Sequence, residues 1–308
     1  MRISVSLGSV LDTSKLDNIY YEQGEKAFLK KLEEIKDENG IFRVGPSLGL
    51  IKALAEVPEV ELALISKFSA QPDLMLSIAK SINYHFSNEY GYNVFKQNIF
   101  TAGQDVVEIN TLLDVDLAIT TNAASMNDLM ANGVPAIQIP NLSEEQNQAN
   151  YKKALNGIVV ISDFDGVIAD SSSESVFQKA IKDKHDRPEE TFAKHEAEHF
   201  EKPMNSGPLM KLIKMISDNQ TEKSKLELHI VTARGGAVLQ RAIASLAEFK
   251  INAKQMWFMS GYNKNIAINS IIKDKEDKLV LFLDDGKTHF ERASEIQSVI
   301  SGLVASDL

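Results

Sequence analysis

Asp163 and Asp165 stand two residues apart at the end of the apolar run Ile158–Ser162, in the stretch "IVVISDFDGVIADSSSE". The run reads as a buried strand, and burial without a partner is costly for a carboxylate. Two of them at one strand tip therefore imply a compensating group. In parallel α/β sheets, ligands gather at the carboxyl ends of strands, near a switch in strand order. Asp163 would project into such a crevice, and Gly166 permits the tight turn behind it. Three more landmarks follow in order. "ELHIV" ends in "TARG", offering the Thr232 hydroxyl and nearby backbone N–H groups. "GYNK" offers Lys264, and "LVLFL" ends in Asp284-Asp285. Parallel neighbouring strands would bring all four together. Several carboxylates in one crevice repel one another and cannot all stay ionised unaided. A hard divalent cation resolves this, and carboxylate oxygens, waters and a substrate phosphate are what Mg²⁺ prefers. Such an ion also neutralises a transferring phosphoryl group.

The elements that must position these groups are short apolar runs at Ile3–Val5, Val60–Ile65, Val115–Ile119, Ala136–Ile139, Ile158–Ser162, Leu226–Val231, Gln255–Met259 and Leu279–Leu283. Between them lie segments with helical spacing, such as Leu48, Ile51, Ala55 and Leu209, Leu212, Ile213, Ile216. Strands alternating with helices predict parallel crossovers and an α/β fold. The polar stretch "NLSEEQNQANYKKALN" at Asn141–Asn156 reads as a linker, in part helical, between residues 1–150 and 151–308.

The two parts look alike. "GPSLGLIKAL" matches "GPLMKLIKMI", "ELALISKFS" matches "ELHIVTARG", "IFTAGQ" matches "WFMSGYNK", and "VDLAITTN" matches "LVLFLDDG". The order is kept at an offset of roughly 160 residues, which predicts a duplicated unit. The first copy lacks the chemistry. Ser6 is expected opposite Asp163, Gly8 opposite Asp165, and Thr120-Thr121 opposite the acidic pair, with Gln104 and Asp105 where Lys264 would be. Ser66, Thr120 and Thr121 could still hold a small anion or a nucleotide effector.

Composition narrows the classes. Hydrophobic residues make up 44% of 308 residues, enough for a real core, and the net charge is −10 from 33 basic and 43 acidic residues. That balance disfavours binding to nucleic acid polymers, which want clustered Lys and Arg. There is no cysteine, so disulfides, thiol nucleophiles and thiolate zinc sites are excluded. The N-terminus lacks the apolar core of a signal peptide, and no run reaches the length of a membrane helix. The expectation is a cytoplasmic enzyme with no membrane partner; self-association into a homo-oligomer stays open.

"DFDGV", "VTARG", "GYNK" and "FLDDG" together resemble the haloacid dehalogenase-like phosphohydrolase superfamily. The resemblance implies two tandem Rossmann-like, three-layer units, the first degenerate and non-catalytic. The second would be catalytic, with a small cap inserted at about 170–205. It also implies roles. Asp163 would attack phosphorus and form an aspartyl-phosphate. Asp165 would act as general acid and then base. Thr232, Ala233, Arg234 and Lys264 would bind phosphoryl oxygens. Asp163, the main-chain carbonyl of Asp165, Asp284 and Asp285 would hold Mg²⁺. For Arg234, a surface position at a helix start is the competing reading.

Nearly the whole chain is similar to the cytosolic type I 5′-nucleotidase family, through "IYYEQG", "SINYHF", "FTAG", "KHEAEHFEKPMNSGPL" and "VTARG". This implies a Mg²⁺-dependent hydrolase of nucleoside 5′-monophosphates. Phe164, His195, Glu196 and Lys202 are candidate nucleoside contacts, against a solvated helix face as the competing reading for the histidines. The family pattern carries Gly between the motif aspartates and a small residue after the second; here Phe164 lies between them and Gly166 follows. "ADSSSE" also replaces a more acidic stretch. Two alternatives remain: a phosphatase for another small ester such as a sugar phosphate, and a non-catalytic nucleotide-binding protein.

Overall fold

The computed structural model describes residues 1–16, 19–68, 71–87, 91–220 and 225–304. The chain is α/β and forms two compact units, Met1–Leu155 and Asn156–Leu308. In the first, strands β1 (Arg2–Ser6), β2 (Glu61–Ser66), β3 (Phe95–Phe100), β4 (Leu117–Thr120) and β5 (Ala136–Gln138) pair in the order β3-β2-β1-β4-β5, all parallel. In the second, β6 (Ile158–Ser162), β7 (Leu226–Thr232), β8 (Gln255–Phe258), β9 (Leu279–Asp284) and β10 (Val299–Val304) pair in the order β10-β9-β6-β7-β8, again parallel. Both orders switch direction beside the first strand of the unit, where the sheet opens a crevice at the strand tips.

Every apolar run read as a strand lies on one, within a residue or two. Two strands escape the sequence. "FKQNIF" is broken by three successive polar residues, Lys96, Gln97 and Asn98, and "VISGLV" is interrupted by Gly302. The central strands are legible because both faces are covered: β6 and β9 are buried at every position. In the second unit Val159, Ile161, Val231, Phe282 and Ile268 share one core cluster.

The expected linker is mostly a helix, Glu144–Asn156. Ser143 and Gln146 cap it reciprocally: Gln146 N donates to Ser143 Oγ (3.2 Å) and Ser143 N donates to Gln146 Oε1 (3.0 Å). The helix seats Ala154 against Gly49, where a Cβ would collide with it. Its few large apolar residues suffice because a glycine admits close approach. Among the described residues, no helix is long and apolar enough to cross a membrane.

The units share backbone detail. Thr101 N, Ala102 N and Gly103 N donate to the carbonyls of Ser66, Phe68 and Lys67; Met259 N, Ser260 N and Gly261 N donate to those of Thr232, Arg234 and Ala233. Ala102 and Ser260 both sit at positive φ, 51° and 49°. Gly45 N donates to Val10 O, and Gly207 N to Ile168 O. Strand register sets Val5 against Leu64 and Ser162 against Ile230, so Ser6 does correspond to Asp163. Past the tip the correspondence shifts by one. Val10 matches Ile168, which puts Gly8 opposite Gly166 and not Asp165. The second unit carries one more residue in that loop, the room in which Asp165 sits.

Candidate active site

Asp163 is the first residue beyond β6, and its N–H donates to Leu283 O of β9 (2.8 Å), continuing the sheet register past the strand end. This fixes its side chain beside Asp284, the last residue of β9. Between them lies Lys264, at the start of the helix Asn265–Ile272. Its Nζ is 2.6 Å from Asp163 Oδ2 and donates to Asp284 Oδ2 at 2.8 Å. Asp163, Lys264 and Asp284 are 6%, 2% and 0% exposed, so this is a buried ionic triad. The remaining oxygens are directed by backbone: Phe164 N donates to Asp163 Oδ1 (2.7 Å) and Gly286 N to Asp284 Oδ1 (2.8 Å).

One lysine does not balance the cluster. Burial raises the Asp163 carboxyl to about 7, with Lys264 opposing and Asp284 and Asp165 adding to the rise. Burial also raises Asp284, again against Lys264. Lys264 is raised as well: burial alone would lower it, but the Asp163 and Asp284 charges outweigh that and hold the ammonium protonated. Nearby His289 is depressed to about 4 by burial and by Lys264 and Arg292, so it stays neutral at ordinary pH.

The residual negative charge suits a cation. Asp163, Asp284 and Asp285 each offer an oxygen, all within 4.8 Å of one another. Gly166 makes this possible: at φ 68° it brings backbone against the Asp285 carboxylate, in space a Cβ would occupy. An all-oxygen, carboxylate-rich donor set fits a hard divalent ion.

Asp165 faces elsewhere. Arg234 grips it bidentately, Nε to Oδ2 at 2.8 Å and Nη2 to Oδ1 at 2.7 Å. The guanidinium, 3% exposed, also pairs through Nη1 with Glu196 and lies over the Phe164 and Phe192 rings. Its donors are thus spent on two carboxylates, whereas the sequence suggested that they reach phosphate. Thr232 is buried, and its Oγ1 accepts from Arg234 N (3.2 Å), which leaves its O–H proton free to point elsewhere. Ala233 is exposed at the tip.

The segment between Asp170 and Asn205 leaves and returns at one point: Asp170 N donates to Asn205 O (3.0 Å), and Asn205 Nδ2 to Asp170 Oδ2 (2.8 Å). It forms helices Ser172–Lys182 and Pro188–Glu198, joined by the edge-to-face pair Phe177–Phe192. Glu196, 1% exposed, ties the second helix down. Arg241 Nη1 donates to it (2.9 Å), Ser173 Oγ donates to it (2.8 Å), and Arg234 completes the set. These cations hold Glu196 ionised although burial opposes it. Glu196 is therefore an anchor within the insertion rather than an open nucleoside contact. His195 is partly exposed, its ring 4.4 Å from that of His199. The Lys202 carbonyl accepts from Arg241 Nε (3.0 Å) while its side chain is exposed.

Arg241 and Ser173 were missed in the sequence. The available signal was position: Arg241 shares a helix face with buried Ala242, Ser245 and Leu246, where an arginine needs a carboxylate partner. Glu174 was passed over as well; burial raises its pKa, and the Asp165 charge adds to the rise.

The family model described as 5′-nucleotidase matches residues 1–308. No curated protein and no solved structure matches the chain.

Proposed function

The chain belongs to the 5′-nucleotidase family, a family of phosphoric monoester hydrolases acting on nucleotides, and from that premise we propose that the second unit performs the hydrolysis at Asp163. The observation that carries this is the buried Asp163–Lys264–Asp284 triad at the switch in strand order, with Asp285 beside it. Asp163, Asp284 and Asp285 would hold Mg²⁺, with the main-chain carbonyl of Asp165 as a further ligand. When bound, the ion offsets the charge of the phosphoryl group and of the carboxylates.

The chain's own residues divide the rest. Asp163 attacks phosphorus of a nucleoside 5′-monophosphate, and the ester oxygen leaves with the nucleoside, forming an aspartyl-phosphate. Asp165 protonates that leaving oxygen, then takes a proton from the water that releases phosphate. Arg234 aims Asp165 through its two parallel bonds, a positioning role. Lys264 and the Thr232 hydroxyl steady the phosphoryl oxygens. The segment 170–205 covers the site as a cap. The tandem arrangement is a duplication of one haloacid dehalogenase-like unit, supported by the equal strand orders and matching loop hydrogen bonds. Similarity to the cytosolic type I 5′-nucleotidases supports the substrate class. The test is a panel of phosphate esters assayed with Mg²⁺ and with EDTA. Release from nucleoside 5′-monophosphates above sugar phosphates, abolished by EDTA, is expected. Preference for sugar phosphates would overturn the substrate, and EDTA-insensitive release would overturn the metal.

A further inference from the structure

The first unit repeats the site's scaffold with its chemistry exchanged, and at the tips of β1, β2 and β4 it holds a cavity of about 130 Å³. One water needs roughly 10–15 Å³ on this measure, so the space takes a group many times larger. The cavity is lined by the counterparts of the second unit's reactive residues. Ser6 stands for Asp163, Ser66 for Thr232, and Thr120 and Thr121 for Asp284 and Asp285. The loop correspondence is equally direct. Asp105 Oδ1 accepts from Val107 N as Asn263 Oδ1 accepts from Asn265 N, which puts Val106 where Lys264 stands. Phe68 replaces Arg234, and Lys67 replaces Ala233.

The exchange inverts the charge of the place. Among the described residues no Asp or Glu lines the cavity, and Lys67 is its one cation. Among the described residues, the Lys67 ammonium donates to the neutral Ser125 Oγ (3.1 Å) and has no carboxylate partner, and Ser6 Oγ is buried with no hydrogen-bond partner. Buried polar atoms normally find one, so an orphan hydroxyl beside a cavity marks a place for a ligand. Ser66 Oγ and Thr120 Oγ1 each accept a backbone N–H, from Phe68 (3.1 Å) and Asn122 (3.1 Å), which directs their own protons away from those amides. Hydroxyl donors and one lysine without carboxylates cannot hold a divalent cation but suit an anion.

We propose that the first unit carries a metal-independent binding site for a phosphoryl dianion, held by Ser6, Ser66, Thr120 and Lys67 in this cavity. The proposal goes beyond the hydrolysis assigned to the second unit and does not rest on it. Such a group could arrive as free phosphate or on a nucleoside monophosphate.

Equilibrium dialysis of the full chain in EDTA, with labelled orthophosphate and separately with a labelled nucleoside 5′-monophosphate, decides it. The expected result is saturable binding of at least one of the two at one site per chain; the tighter of the two identifies the source. Lys67→Glu changes an exposed side chain and should weaken binding at least about tenfold, the loss of one charged hydrogen bond. Thr120→Asp should abolish it by restoring a carboxylate. Two results would overturn the proposal: no binding of either ligand, or binding untouched by both Lys67→Glu and Thr120→Asp. Because EDTA removes the metal, these outcomes are separate from the Mg²⁺-dependent assay that tests hydrolysis.

Discussion

Lys264 shows how one residue can hold a site together. Its ammonium bridges two buried carboxylates at 2.6 and 2.8 Å. Removing one partner from a buried ionic cluster costs more than the cluster contributes, because the others stay buried and unpaired. Lys264→Met should therefore lower unfolding free energy in EDTA by about 3–5 kcal/mol, read from urea melts. A loss under about 1 kcal/mol would mean that solvent reaches the carboxylates. Arg234 teaches the complementary lesson. Its position two residues after Thr232 was legible, yet its partners were not, since Asp165 and Glu196 lie 69 and 38 residues away in sequence. An arginine near a phosphate motif reads as a phosphate ligand until the fold supplies carboxylates.

At the scale of elements, β7 carries a charge cluster at its start, far along the strand from Thr232. Glu227, 4% exposed, takes Lys278 at 2.5 Å, Lys275 at 2.9 Å and Lys254 at 3.3 Å. Burial alone would raise its pKa, but Lys278 and Lys275 outweigh that and bring it down to about 2. A carboxyl whose folded pKa is depressed contributes stability that is complete above its unfolded value and disappears as pH falls through the folded one. The second unit should lose stability from about pH 4.5 down to about 2, and Glu227→Gln should flatten that limb. An unaltered acid limb in the variant would remove Glu227 as its source. Elements also explain what sequence gave away. The central strands β6 and β9 are apolar up to their last residues, Ser162 and Asp284, because both faces are covered, whereas β3 runs through Lys96, Gln97 and Asn98 and β10 carries Gly302. The helix Glu144–Asn156 was legible only in part because its packing rests on Ala154 against Gly49, a contact without a hydrophobic stripe.

For the molecule as a whole, the likeness of the two units' strand orders and loops was readable as four ordered matches, but the one-residue shift in the loop was not. The carbonyl partners of Gly45 and Gly207 reveal that Gly8 answers Gly166. That extra residue gives the second unit room for Asp165, so the two units differ in backbone length as well as in side chains. A ligand that binds only the folded state raises its stability with concentration. Saturating Mg²⁺ should accordingly raise the melting temperature over EDTA, and Asp285→Asn should reduce the gain; equal melting curves would deny the carboxylate cluster a metal. The central claim is that hydrolysis runs through Asp163. It is tested most directly by phosphate release from a nucleoside 5′-monophosphate with Mg²⁺, comparing the unmodified chain with Asp163→Asn at matched folding. Loss of a nucleophile should cut the rate by at least about a thousandfold, near 4 kcal/mol in the barrier. A folded Asp163→Asn chain that keeps more than about a tenth of the rate, under 1.4 kcal/mol, would contradict it.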